Sequence, residues 1–463
     1  MRNTLLITLM LLTSIAIRAQ ESPQGKTFNF NLQECLQYAY ENQDSLKNAK
    51  LDIESAKYKV KETFGIGLPQ VSGTASFQDY LKIPTTLLPD FISPAIYGIL
   101  KNENLVNKIP EGLGGSQPVQ FGLKYQANAG ISVNQLLFNG SYLVGLKASK
   151  TYKELSEKNY NRSKISTTVA VTKAYYQVLV SNEQMRLLNA NVNQLAQQLK
   201  ETTELNKQGF VEKIDLDRLT VIYNNLLTNR ENTQRLLDLS KQLLKFQIGM
   251  PIVDNLEVKD KISSVALDIS SSLSVDTTAY HNRVEYSLLE TQRKLNDLNV
   301  ERLKSEYLPT LAAFGSKSYQ YQNNKFGDLF NTKYPTTVIG LQLNVPIFSG
   351  FQRKYQIKQA EIDSKKTSNI LNIAKNGILL QQQNSRITYQ NSIASLNNQK
   401  ANMDLAREVL RVSKIKYQEG VGSSLEVTQA QTELETAENN YIQALYNALV
   451  SKVDLDNAYG RIQ

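Results

Sequence analysis

Two periodicities divide this chain. In four stretches apolar and polar residues alternate with the period of two that a strand imposes. In 71–80, Val71, Gly73, Ala75 and Phe77 share one face, with Ser72, Thr74, Ser76 and Gln78 opposite. In 125–138, Ala127, Ala129, Ile131 and Val133 oppose Gln126, Asn128, Ser132 and Asn134. In 337–347, Ile339, Leu341, Leu343, Val345 and Ile347 oppose Gln342 and Asn344, while 309–321 alternates more weakly. Each stretch is about 10–14 residues, the length of a tilted transmembrane strand. An ordinary half-buried antiparallel sheet alternates in the same way, so the strands alone leave both readings open.

Elsewhere the apolar spacing is helical. Val427, Ala430, Leu434, Ala437, Tyr441, Ala444 and Ala448 step alternately by three and four, as do Met185, Leu188, Val192, Leu195 and Leu199. Such a narrow seam predicts helices paired as coiled coils. Residues 146–208, 210–248, 378–419 and 423–459 contain neither Gly nor Pro. Runs so free of breakers predict very long helices; at ~1.5 Å per residue, 146–208 would extend on the order of 95 Å. The faces away from the seam are rich in Gln, Asn, Lys and Thr. A solid bundle would carry a wider apolar stripe, so the pattern favours a hollow wall one helix pair thick.

The chain is written twice. Leu68-Pro69 and Leu308-Pro309 begin strands, Phe138-Asn139-Gly140 and Phe348-Ser349-Gly350 end them, and Gly209-Phe210 and Gly420-Val421 break between helices. The strand ends are offset by 210 residues and the breaks by 211, whereas the strand starts are offset by 240. The first hairpin therefore holds about thirty extra residues, in 81–121, with prolines at 84, 89, 94, 110 and 118. Each repeat reads helix, strand, strand, long helix, helix, the first over 20–248 and the second over 281–463. The segment 249–280 interrupts the helical pattern between them. Pro346 is expected to end ladder donation where a sheet stops, with Ser349 and Gly350 turning the chain into a helix. Gly377 is a candidate kink.

Composition narrows the function. Residues 1–19 read as a signal peptide, with Arg2, an apolar run from Leu5 to Ile17, and Ala19 at the cut. Its apolar core falls short of the ~20 residues of a spanning helix, so an exported protein is expected. The charge of +9, or +7 without Arg2 and Arg18, is diffuse and shows no basic block for nucleic acid. Cys35 is the only cysteine, which excludes an intrachain disulfide, and His281, the only histidine, reads as a surface or capping residue. No nucleophile triad, phosphate loop or metal-ligand cluster stands out, so no catalytic residue, metal or cofactor is expected.

The doubled unit, the Pro-Ile-Phe-Ser-Gly joint at 346–350, and Tyr417-Gln-Glu-Gly420 followed by Leu425-Glu426-Val427 resemble the TolC family of outer-membrane efflux proteins, from about residue 30 to 460. The resemblance implies a mixed α/β membrane protein: a homotrimer whose chains each give four strands to a twelve-stranded outer-membrane barrel, continuous with a periplasmic α-helical coiled-coil barrel. It implies a passive duct for efflux or type I secretion, fed by an inner-membrane transporter through a periplasmic adaptor. The segment 249–280 would be the equatorial belt. The tip turns 204–214 and 415–425 would be the closed end, with Gly209, Phe210, Gly420 and Val421 meeting the adaptor. The joints between barrel and tunnel would be Phe138, Gly140, Pro346, Phe348 and Gly350.

The family's gating tyrosine falls on Tyr417, its acidic ring on Glu426, and its first-repeat acidic residue on Asp215. Gly422 stands where the best-known member has a gating arginine, and Gln429 where an acid would follow Glu426. The tip must therefore close by other contacts or be looser. Asp215 and Glu426 are also first-turn carboxylates that stabilise helix N-termini, and the two roles are compatible. The long loop 81–121 reads as an extracellular lid or as a passive loop. The competing reading of the whole is a periplasmic coiled-coil scaffold or adaptor without a membrane barrel.

Overall fold

The computed structural model describes residues 25–111, 115–262 and 278–462. The expected signal peptide, and 263–277 of the expected belt, lie outside the described residues. The chain falls into two units: one takes in the chain up to Tyr58, Lys150–Asp297 and everything from Glu361, the other Lys59–Ser149 and Leu298–Ala360. Each unit draws on both halves of the sequence.

The second unit is built on a four-stranded antiparallel sheet in the order β2-β5-β7-β8, comprising β2 (Gln70–Asp79), β5 (Tyr125–Phe138), β7 (Thr310–Asn323) and β8 (Tyr334–Asn344). All four expected strands form, and the weakly alternating one, β7, is central, paired on both sides. A central strand gains two ladders of hydrogen bonds, so register here needs less help from side-chain pattern. A bulge at Leu136/Phe138 shifts the β5–β7 register just before the chain leaves the sheet. β2 and β8 are left as unpaired edges.

The connection between β2 and β5 is not an irregular loop. It holds an antiparallel pair, β3 (Thr85–Pro89) with β4 (Ser116–Gln120), and a helix, α3 (Ile92–Asn102), that buries none of its residues. Asp90 Oδ1 accepts from the Ser93 amide and anchors the start of that helix.

The other unit is helical. β1 (Thr27–Phe30) pairs in parallel with β6 (Asn255–Val258), and α1 (Leu32–Asn42) opens with a capping box between Asn31 and Glu34. α2 (Asp44–Ile66) follows, and the two longest helices are α4 (Gly140–Lys207, 68 residues) and α7 (Gln352–Gln418, 67 residues). Both begin earlier than the breaker-free runs predict, and α7 continues through Gly377 without a break. One interior glycine costs only ~1 kcal/mol, which a helix of that length absorbs. α5 (Lys213–Ile248), α6 (Val284–Ser305) and α8 (Ser424–Ala458) complete the set.

The seams pack as their spacing demands. Leu188, Val192 and Leu195 of α4 cluster with Leu219 and Leu226 of α5, and Met403 and Leu410 of α7 with Val427, Ala430 and Leu434 of α8. Polar ties lie between these pairs: Asn191 Nδ2 donates to Glu438 Oε2 (2.6 Å) and Asn229 Nδ2 to Glu435 Oε1 (3.0 Å). Burial pushes the Glu438 carboxyl up, against the opposing pull of Asn191 and Arg407. At the far end of α8, buried Arg283 donates to the Ala458 carbonyl (3.2 Å), a cation at a helix C-terminus. His281 is exposed beside it and stacks with Tyr280 at 4.2 Å between ring centres, as expected of a surface residue.

Candidate functional site

Register sorts the sheet into two faces. Ser72, Ser132 and Ser316 lie in one cross-strand row, and Ser76, Asn128 and Gln320 in another; Gln78, Gln126 and Gln322 form a third. The opposite face carries Val71 with Val133, Phe77 with Ala127 and Tyr321, and Leu341 with Ala313. Ile339 on this face is 87% exposed. A row of polar side chains on one side and bare aliphatic ones on the other suits water within and hydrocarbon without. Aromatic residues gather at the loop end, where Phe77, Tyr125 and Phe326 make mutual ring contacts at 5.6–6.3 Å. Phe348 and Phe351 meet at 5.4 Å at the other end. Lys317 alone among the described strand residues puts a lysine on the apolar face, in register with Ile131 and Thr337.

The two joints differ more than their sequences suggest. Asn139 Oδ1 accepts from the Tyr142 amide (3.0 Å), so Asn139 caps α4 and Gly140 is its first residue. Gly140 is buried, and a Cβ there would lie 2.9 Å from Ser305 Cβ and 3.1 Å from Ser305 O. In the second copy the sheet stops at Asn344, two residues before Pro346. The chain then turns through Gly350 (φ 59°) and Phe351 (φ 64°), both left-handed, before α7 begins. Space dictates glycine in the first joint and backbone conformation does so in the second. Phe348 is 74% exposed.

The tips of the helix pairs, by contrast, are built alike. Gly209 (φ 80°) and Gly420 (φ 74°) are both left-handed. Each is followed by an amide that reaches back five residues: Phe210 N donates to Leu205 O and Val421 N to Lys416 O, each at 3.0 Å. Phe210 and Val421 are 76% and 78% exposed, bare apolar side chains at the two turns.

The residues expected at the gate are only partly brought together. Ser424 Oγ donates to Asp215 Oδ1, joining the first turn of α8 to the first turn of α5. Arg218 lies 3.6 Å from the same oxygen. Tyr417 packs half-buried against the α7–α8 seam, and burial, with help from the Asp215 charge, pushes its phenol up. Glu426 is exposed and stays apart; its amide donates to Ser423 Oγ (3.2 Å), the cap of α8. Gly422 is packed so closely that a Cβ would lie 2.9 Å from Lys416 Cβ and 3.1 Å from the Tyr417 nitrogen. That crowding leaves no room for an arginine. Ser424 escaped the sequence reading, although a signal existed: of two serines preceding a helix only one can cap it. A cleft of about 630 Å³ beside the tips is lined by Gln198, Phe210, Lys414 and Tyr417. Burial holds the Lys414 ammonium below its ordinary range there, and Gln198 Oε1 is buried without a hydrogen-bond partner.

A lipid-suited sheet whose strands pass into coiled-coil helices of 68 and 67 residues defines a class: channels that cross an outer membrane and continue as helices. The family model described as "Outer membrane efflux protein" matches residues 115–229 and 286–461, so the chain belongs to that family. It is 22% identical to the outer membrane protein TolC of Vibrio cholerae, over 72% of this chain and 77% of that one. It is 24% identical to the proteases secretion protein PrtF of Dickeya chrysanthemi, over 67% and 68%. Its fold matches the open state of the MtrE outer membrane channel of Neisseria gonorrhoeae with a TM-score of 0.71 at 16% identity, covering 93% of this chain and 89% of that one. The chain is an outer-membrane channel of efflux or secretion, with its helical part in the periplasm; family and fold are those of channels.

Proposed function

We propose that three copies close one twelve-stranded barrel and form a passive exit duct, which receives substrates from an inner-membrane transporter through a periplasmic adaptor. The observation that carries this reading is the four-stranded sheet, with an apolar face and two unpaired edges. In hydrocarbon each unpaired backbone group costs several kcal/mol, so the edges must meet strands of other copies. A scaffold without a barrel has no use for Ile339, Leu341 and Leu343 bared on one face. In this reading 20–248 and 281–463 are the two repeats, 249–280 is the belt between them, and residues 1–19 are a signal peptide. The joints at Phe138, Gly140, Pro346, Phe348 and Gly350 carry the wall from lipid to water.

The proposed gate is Asp215, Tyr417 and Glu426, with Ser424 added. Ser424 supports closure where an arginine is missing, because a hydroxyl donating to a carboxylate is worth roughly 1.5–3 kcal/mol when shielded. Glu426, exposed at the tip, is the carboxylate that three copies would present as a ring and that would gather cations. Gly209, Phe210, Gly420 and Val421 offer the adaptor its apolar contact. The test is conductance of the purified channel in planar bilayers. Ser424→Ala is expected to raise the open probability several-fold, and Glu426→Gln to lower cation selectivity. Unchanged selectivity in Glu426→Gln would refute the ring. Failure of the unheated protein to run as a trimer from outer-membrane extracts would refute the assembly.

A further inference from the structure

We propose that the barrel's outer surface holds a binding site for a phosphate-bearing lipid of the outer leaflet, centred on Lys317. The inference rests on the apolar face lying in lipid. A lysine on the lipid face of such a barrel is costly near the midplane, and less so toward the interfaces, unless something answers its charge. Among the described residues Lys317 has no carboxylate partner. Its Nζ instead lies 6.0 Å from the centre of the Tyr319 ring, and Lys333 Nζ lies 5.5 Å from the same ring. Two ammonium groups therefore converge on one tyrosine on the apolar face, Lys317 from the middle of β7 and Lys333 from the loop end of the sheet. Like charges brought together this way call for an anion, and a phosphate accepts from both while the Tyr319 hydroxyl can donate a further bond.

The surface beside them suits an acyl chain. A groove of about 570 Å³ is lined by Gly73, Ala75, Ala129, Ile131, Lys317 and Tyr319. Register places Gly73, Ile131 and Lys317 in one row and Ala75, Ala129 and Tyr319 in the next. Small side chains in β2 and β5 thus leave a trough that ends at Lys317 and Tyr319. A Cβ added at Gly73 would meet only the Gly130 carbonyl, at 4.0 Å, so the trough is open. The groove starts at mid-sheet, and Lys333 closes on Tyr319 from the β7–β8 loop side; in the barrel reading that loop is extracellular, which points the anion end of the groove toward the outer leaflet. The ligand is thus a lipid with a phosphorylated headgroup.

The experiment uses the full-length channel, extracted as a trimer and placed in phosphatidylcholine nanodiscs. Bis-phosphorylated lipid A, or the same lipid stripped of its phosphates, is added, and the lipid retained per trimer is counted by native mass spectrometry. The wild type is expected to retain the phosphorylated lipid at least tenfold better than the stripped one. Lys317→Gln should lose that preference, Lys333→Gln should lose part of it, and Gly73→Leu should block retention by filling the groove. Equal retention of both lipids by the wild type, or undiminished retention in Lys317→Gln, would overturn the site. Displacement by inorganic phosphate at equal concentration would overturn the lipid assignment in favour of a free-anion site. Outer-membrane fractionation separates this from the barrel reading: loss of fractionation would sink the barrel, while normal fractionation without retention sinks only the lipid site.

Discussion

The two tip turns and the two joints are both written twice, yet the tips repeat their geometry and the joints do not. At Gly209 and Gly420 the same left-handed residue closes the same backward hydrogen bond, and neither glycine has anything near an added Cβ. At the joints, Gly140 is an ordinary helical residue pressed against Ser305, whereas Gly350 is left-handed and open. A turn that only reverses the chain depends on few residues, all local, so duplication preserves it. A joint must also fit what it packs on, and only the first is pressed on a neighbour at its glycine. Ser141 Oγ in the first joint donates to the Arg302 carbonyl (3.2 Å), a contact that belongs to the first joint and not to its copy.

The largest effect is expected where space is the constraint. Gly140→Val must displace Ser305 or its carbonyl, and overpacking of this kind costs ~1–3 kcal/mol. Gly350→Val meets no neighbour and bears only the left-handed strain, roughly 1–2 kcal/mol. Gly350→Asn should be nearly silent, since asparagine tolerates that conformation, while Gly140→Asn should remain damaging. Thermal dissociation of the detergent-extracted channel reads all four. If asparagine rescues both sites equally, the joints are equivalent after all and the contrast fails.

Next come the tips. Gly209→Ala and Gly420→Ala should each cost ~1–2 kcal/mol, by the same amount, and asparagine should restore most of it at both. The costs should add, because an added Cβ at either glycine meets nothing within 4 Å. Melting of the helical circular dichroism signal is the measurement. Unequal costs, differing by more than about 1 kcal/mol, would break the equivalence on which the comparison stands.

These contrasts show which parts of the molecule a sequence can reveal. Strand limits at 125–138 and the helix end near 208 are legible within a residue or two, because alternation and breakers are local properties. The seam of Leu188, Val192 and Leu195 was legible for the same reason. The start of α4 at Gly140 was not, since Gly145 reads as a breaker and only the Asn139 cap, seen in space, carries the helix past it. The insert at 81–121 read as a loop because its five prolines mask a short strand pair and an exposed helix. At the tip, Asp215 and Tyr417 were found through motif order. Ser424 was not, because its role depends on a carboxylate 209 residues away in the chain.

The smallest expected effect concerns Phe351, the one described strand-to-helix joint residue that is left-handed without being glycine. A bulky residue held there costs of order 1–3 kcal/mol, so Phe351→Gly should relieve strain. It also removes the ring contact with Phe348, worth ~0.5–1.5 kcal/mol, and loosens the unfolded chain by about 0.4–1 kcal/mol. These terms nearly cancel, and the change in thermal dissociation should be close to zero in detergent. The two joints then differ in a further way, since nothing comparable can be gained at Gly140. A loss in Phe351→Gly well above ~2 kcal/mol would mean that the Phe351 ring, 57% exposed, holds the wall at the membrane interface and that its strained backbone is maintained for that anchor.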